Sequence, residues 1–409
     1  MRVKELFTND KPHFIATAAL VVFAAALPFS VTLIQGGLFL FIAASLLARG
    51  KEGTLSLVPA QIKANPLFLP WLAYLAAGAL AAAFGVSPAR SAAILNSDLL
   101  TAVSFFGLCL FIKPEARDIA LKAYLAAIAI AGVIGIYQAL NGLAHGLDIR
   151  AHAFAHPVRF GEIMVISLAL ALSRLSAPEA LTPRVKKFFY AAILFITSAI
   201  VLSQTRGAYL GTALVFAVLL AIRRPSKRVV MSLMAAVAAL GLGLSMLNPA
   251  LRYKLGSIFK GVNSAVSATA KAPDQSIDTR LTLWKIGVKM IKDRPLLGAG
   301  PANVKTLFPV YCEKPYPENT VWGSLHNLYI HQTAERGLVG LAALLTLFGA
   351  MFITALRNFR VAPFRFTLWA LAIMPSWFLM NATEITFQHV HTSYAVLLAL
   401  AVSVAAAKE

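Results

Sequence analysis

Twelve apolar stretches recur along this 409-residue chain, each close to the length that crosses a bilayer. They fall at residues 14–29, 31–48, 67–85, 94–112, 119–140, 158–175, 188–203, 208–222, 229–247, 326–356, 366–380 and 391–407. Lipid offers the backbone no hydrogen-bond partner, so such stretches have to be helices or strands of a closed barrel. No ten-residue alternation of apolar and polar side chains runs through them, which removes the barrel, and the Ala and Gly spread along them let helices approach closely. With 59% hydrophobic and 13% charged residues and a mean hydropathy of +0.74, the expected fold is an all-α integral membrane protein, about 12 transmembrane helices with one long, partly helical loop on the outer side. Residues 1–247 would form nine helices with short loops, 248–325 the long loop, and 326–409 three further helices. Met1 to Lys11 leads into a full-length span without a clear small-residue cleavage site, so no cleavable signal is expected.

Lys and Arg set the orientation. Twenty of them sit on alternate connections, from Arg2, Lys4 and Lys11 to Arg357, Arg360 and Arg365, whereas the opposite short connections hold only Arg90, Arg150, Arg159 and Arg206. The positive-inside rule then puts both termini in the cytoplasm. A net charge of +20 follows from this topology, and no nucleic-acid partner is called for. The long loop carries eleven Lys and Arg against five Asp and Glu, a surplus that suits an anionic partner.

Polar groups cluster at the outer ends of several spans. In His326-Asn327-Leu-Tyr-Ile-His331-Gln-Thr-Ala-Glu335-Arg-Gly, two imidazoles, a carboxylate and a guanidinium stand where a span begins, a costly placement that calls for a reason. His326 is either a reactive group or a helix-start residue after Ser324, with Asn327 bonding the first turn; His331 and Glu335, four apart, read as an intrahelical contact. Ser203-Gln-Thr-Arg206-Gly joins two spans through a turn so short that Arg206 stays at the membrane edge, placed equally for bidentate capture of phosphate or for a lipid headgroup. Arg150, His156, Arg159 and Glu162 bracket another outward span start, and either line a binding site or anchor the interface. Asp98, beside Asn96 and Ser97, reads as a cap of its span.

Within the long loop, Asp278 opens a helical pattern with Leu281, Trp284, Val288 and Ile291 on one face, and Asp293-Arg294-Pro295 stops it. Arg294 reads as either helix cap or phosphate contact. Gly298-Ala-Gly300-Pro301 is then a tight turn; without a preceding strand it is no nucleotide fingerprint. Seven of the eight histidines fall on the outer side, yet none combines with a carboxylate or thiol cluster into a ligand set, so neither a metal nor another cofactor is expected.

Four of these motifs, in order, carry a resemblance. Ser-Gln-Thr-Arg206-Gly, Arg280-Leu-Thr-Leu-Trp-Lys-Ile-Gly, Asp-Arg-Pro295-Leu-Leu-Gly-Ala-Gly-Pro and the His326 stretch, around one long outer loop, resemble the O-antigen ligase and polymerase superfamily over about residues 188–356. Thr205 departs from the Ser expected before the Arg and keeps a hydroxyl. The resemblance implies a bacterial inner-membrane glycosyltransferase with a periplasmic active site. Its donor would be O-antigen polysaccharide on undecaprenyl pyrophosphate, and in ligases its acceptor is the lipid A core oligosaccharide. Arg206 and Arg280 would hold the pyrophosphate and His326 would act as general base in a metal-independent, inverting transfer; Arg150, His156, Arg159, Arg294, Asn327, His331 and Glu335 are candidate substrate contacts. An O-antigen polymerase and a protein O-oligosaccharyltransferase belong to the same resemblance. From another class, a lipid-glycan flippase or transporter would also use twelve spans, but no internal repeat is visible and the polar groups gather at one face rather than mid-membrane.

Overall fold

A computed structural model describes residues 11–177, 181–224, 275–313, 321–362 and 364–409, together with the single positions 239, 243 and 246. Every regular element among the described residues is helical: α1 Lys11–Ala26, α2 Val31–Lys51, α3 Val58–Lys63, α4 Phe68–Ala83, α5 Pro88–Phe111, α6 Pro114–Ala144, α7 Pro157–Leu175, α8 Pro183–Leu202, α9 Arg206–Arg223, α10 Gln275–Asp293, α11 Val304–Tyr311, α12 Leu328–Val361, α13 Phe364–Asn381 and α14 Val390–Ala406. Eleven of the twelve apolar stretches coincide with helices; the twelfth, 229–247, lies outside the described residues apart from those three single positions, as do much of the long loop and its expected boundary at 247.

Six helices, α2, α5, α6, α8, α9 and α12, are long and apolar enough to cross a membrane on their own, and α4 with the short segment before it adds a seventh, bent by 80°. The helices that fall short of that test include the most enclosed in the bundle. In α7 every residue from Phe160 to Ala171 is buried, and in α14 every residue from His391 to Ala406. A helix covered on all sides belongs in the interior of a bundle. Trp369 of α13 donates Nε1–H to the Ile166 carbonyl of α7 at 2.9 Å, and Tyr124 of α6 shares a hydrogen bond with Ser167 at 2.7 Å, so the few polar groups there pair across helices.

Two details position the end of the bundle that carries Arg206 and His326. The first is a glycine seam on α9: a Cβ at Gly207 would lie 2.7 Å from Thr383 Oγ1, and one at Gly211 would lie 2.8 Å from Ser376 Oγ and 3.0 Å from Met380 Sδ. Small residues four apart thus let α9 settle against α13, where Ser376 donates to the Gly211 carbonyl at 2.8 Å.

The second corrects the expectation of one continuous helix over 326–356. Gly337 has φ 65° and ψ −170°, and breaks α12 into a polar stub, Leu328–Arg336, and an apolar span beginning at Leu338. The break costs the helix its bonds from Leu338 and Val339 back to Ala334 and Glu335. All four freed groups are taken up by the Pro295–Gly300 segment: Leu338 N–H donates to the Pro295 carbonyl (2.8 Å) and Val339 N–H to that of Leu296 (3.2 Å), while Ala299 N–H and Gly300 N–H donate to the carbonyls of Ala334 (2.9 Å) and Glu335 (2.7 Å). Gly298 and Gly300, at φ 69° and 90°, allow the segment to lie flat on the stub, where a Cβ at Gly298 would sit 2.5 Å from the Glu335 backbone. The expected tight turn is therefore a clasp.

Helix α10 starts three residues before Asp278 and stops at Asp293 as expected. Its buried stripe is Leu283, Ile286, Gly287 and Met290, whereas Leu281 and Val288 of the expected face are 43% exposed. Gly287 explains the rotation: a Cβ there would lie 2.5 Å from Ile330, so the bare backbone is the surface that meets α12.

Asp98 is not a cap. Ser87 precedes α5, and Asp98 sits mid-helix, buried, in an ion pair with Arg336. Arg336 also lies 4.6 Å from the Tyr74 ring centroid, in the space left by Gly78 of α4.

Candidate active site

A cavity of about 430 Å³ opens where five chain segments meet: the α6–α7 connection with the start of α7, the α8–α9 turn, the first part of α10, the approach to α12 and the turn after α13. Of the residues expected to act, Arg206, Arg280, His326, Arg150 and His156 all line it, although up to 176 positions separate them in sequence.

His326 is held by backbone strain and by a carboxylate. Its φ of 48° is uncommon for a residue with a side chain and costs about 1 kcal/mol or more. Its amide donates to Ser324 Oγ at 3.1 Å, and Asn327 caps α12 by accepting from Ile330 N–H at 3.1 Å. The helix-start role thus falls to Asn327, which releases the imidazole for other work. Nδ1 lies 2.7 and 2.9 Å from the two carboxylate oxygens of Glu384. A carboxylate accepts, so Nδ1 carries the hydrogen, and in the neutral imidazole Nε2 carries the lone pair. Trp322 packs its ring edge-on to the imidazole at 5.3 Å between centroids.

Glu384 is the residue that sequence reasoning missed. It is 5% exposed, its carbonyl accepts from Leu328 N–H at 3.2 Å, and Arg280 Nη2 stands 3.8 Å from its Oε2. Burial pushes its carboxyl up, but the His326 hydrogen bond, with His326, His389 and Arg280 as charges, outweighs burial and holds it below the usual carboxylate range. The available signal was composition: Glu384 is the only acidic residue between Arg336 and Glu409.

Arg206 opens α9 from a turn that is clamped on the other side. Arg150 donates Nε–H to the Ser203 carbonyl (2.8 Å) and Nη2–H to Thr205 Oγ1 (3.0 Å), and Gln204, at φ 52°, donates its side-chain amide to Asp148 (2.9 Å). Thr205 therefore uses the hydroxyl that the resemblance requires there. Arg150, a candidate substrate contact, spends two of its N–H groups on holding the turn that presents Arg206. His156, which accepts from Val158 N–H at 3.3 Å, is pushed down by partial burial and by the Arg150 and Arg159 charges, so it is neutral near pH 7.

The cavity does not gather every candidate. Arg159 and Arg294 are exposed and off its wall, and Asn327 is occupied as a cap. His331 and Glu335 are buried in the stub, 3.5 Å apart, and Glu335 also accepts from Val304 N–H at 3.4 Å, tying α11 to α12. Glu162 lies at the cavity base, where it accepts from Thr386 at 2.9 Å. Among the described residues, no group of three or more His, Cys, Asp or Glu side chains is placed to hold a metal ion.

Residues 191–345 match a family model described as O-antigen ligase. The matched region includes Arg206, Arg280 and His326 but stops short of Glu384. A protein of Haemophilus influenzae described as uncharacterized is 24% identical over 258 residues, which cover 59% of this chain and 61% of that protein. The chain thus spans about three fifths of the length of that curated relative.

Proposed function

We propose that this chain is an O-antigen ligase, which transfers O-antigen polysaccharide from undecaprenyl pyrophosphate to the lipid A core oligosaccharide. In this reading it crosses the bacterial inner membrane twelve times with both termini in the cytoplasm, residues 1–247 and 326–409 forming the bundle and 248–325 the periplasmic loop. The observation that carries the reading is the convergence of His326, backed by Glu384, with Arg206 and Arg280 in one cavity at one end of the bundle.

The chemistry follows from those groups. Nε2 of His326 takes the proton of the acceptor hydroxyl as its oxygen bonds to the anomeric carbon; the bond from that carbon to the phosphate oxygen breaks on the opposite side, which inverts the configuration. Glu384 holds the imidazole in the required tautomer and stabilises its cation. The charge that develops on the departing undecaprenyl pyrophosphate is met by the forked guanidinium groups of Arg206 and Arg280, a role that needs no metal. The cationic loop surplus suits an acceptor rich in phosphate and acidic sugars.

A ligase and a polymerase of the superfamily share the donor chemistry and differ in the acceptor. Cells lacking this protein are expected to keep full-length lipid-linked polymer and to show lipopolysaccharide with a bare core. A single repeat unit attached to the core would make the protein the polymerase instead, and lipid-linked glycan trapped in the inner leaflet would make it a flippase.

A further inference from the structure

At the end of the bundle opposite the cavity, α6, α7 and α8 leave a second cavity of about 400 Å³. The opposition follows from α7 itself: its first residues border the active-site cavity, and Leu170 and Arg174, near its last, border this one. Leu121 and Leu125 of α6 and Leu170 of α7 form a buried apolar floor, and Phe188, 45% exposed, forms an apolar lip. Two exposed cations, Lys122 and Arg184, stand on its rim, while the third, Arg174, is turned inward on Asp118 at 3.5 Å.

An apolar trough topped by cations at a helix end matches the polarity of a phospholipid, with part of one acyl chain in the trough and the phosphate at the rim. Charge decides between lipids: two exposed cations favour an anionic headgroup over a zwitterionic one, as basic pockets between transmembrane helices do generally. We propose that this groove is a binding site for an anionic phospholipid of the phosphatidylglycerol class, its phosphate held by Lys122 and Arg184 and one acyl chain lying on Leu121, Leu125 and Phe188. The site is independent of what the active-site cavity does; it ties the basic ends of α6 and α8 to the lipid leaflet beside them.

Native mass spectrometry of the detergent-solubilised full chain, incubated with equal amounts of dioleoyl phosphatidylglycerol and dioleoyl phosphatidylcholine, tests this. Wild type should retain phosphatidylglycerol in preference. Each basic residue beside an anionic headgroup contributes about a fivefold factor, so Lys122→Gln with Arg184→Gln should lower retention roughly twenty-five-fold. Ala126→Trp, which fills the groove from an exposed position, should displace the lipid while leaving both cations in place. Circular dichroism and gel filtration establish that each variant is folded. Equal retention of the two lipids by wild type, or phosphatidylglycerol retention unchanged in the double variant, would overturn the proposal.

Discussion

Two arginine–carboxylate pairs lie at the two ends of the α12 stub, alike in chemistry and opposite in surroundings. Arg336 and Asp98 have side chains 0% and 11% exposed, sealed between α4, α5 and α12 with the Tyr74 ring as a further wall. Arg280 and Glu384 stand 3.8 Å apart with side chains 24% and 6% exposed, and the guanidinium faces a cavity large enough for substrate groups. A sealed pair has no access to a ligand, so it is retained for structure; an open pair whose carboxylate is already engaged by an imidazole keeps guanidinium capacity for something that arrives. The same residue types therefore have to be assigned by exposure and partner rather than by their presence in a membrane span.

The largest effect that separates the two sites is expected from His326→Ala. Losing a positioned base costs about a hundredfold to ten-thousandfold in rate. Because Asn327 rather than His326 caps α12, the variant should still fold, with an unfolding temperature in detergent lowered only by the loss of the Glu384 contact. Transfer assayed with purified donor and acceptor checks the first half, and full activity would return His326 to a structural role. Arg206→Ala and Arg280→Ala should lose more activity than the Lys replacements, which keep the charge and lose the fork.

Next in size is Asp98→Ala. It strands the Arg336 cation in a buried site and should destabilise by about 3 to 5 kcal/mol, read as a fall in the unfolding temperature and in the yield of folded protein. Asp98→Leu combined with Arg336→Met should recover most of that loss. If Asp98→Ala folds normally but cannot transfer, the sealed pair belongs to the chemistry and the contrast fails.

Glu384→Gln gives the smallest effect, and pH sharpens it. A hydrogen bond to a charged group contributes about 1.5 to 3 kcal/mol. Because the folded-state pKa of Glu384 lies below its unfolded value, that stability is fully present above the ordinary carboxylate range and is lost as pH falls through the folded value. The unfolding-temperature gap between wild type and Glu384→Gln should therefore hold at neutral pH and close in acid. A gap that stays constant into strong acid would mean that the contact is not ionic.

What the sequence made legible was whatever local pattern controls. Apolar runs located the helices, a short turn located Arg206 and the start of a span located His326, because a span pins the residues at its ends. Long-range pairing was not legible: Glu384 meets His326 across 58 positions and Asp98 meets Arg336 across 238, and no local periodicity encodes either. The break at Gly337 was hidden because the apolar pattern runs through it; the chain departs from a helix there only because Pro295–Gly300, far upstream, accepts and donates the bonds the helix gives up. The face of α10 was misjudged because hydrophobicity marked Leu281 and Val288, while close packing chose the side bearing Gly287.

The glycine seam of α9 sets a dimension of the site. Arg280 precedes the clasp on the chain and His326 precedes the stub that receives it, so the clasp fixes one wall of the cavity. Arg206 stands on the other wall, at the head of α9, and its distance from Glu384 is the distance at which Gly207 and Gly211 let α9 approach α13. Two missing methyl groups thus act as a spacer gauge. A methyl added at Gly211, deep in the apolar bundle and remote from any reacting atom, would reach the reaction as a change in the gap that the leaving group has to bridge.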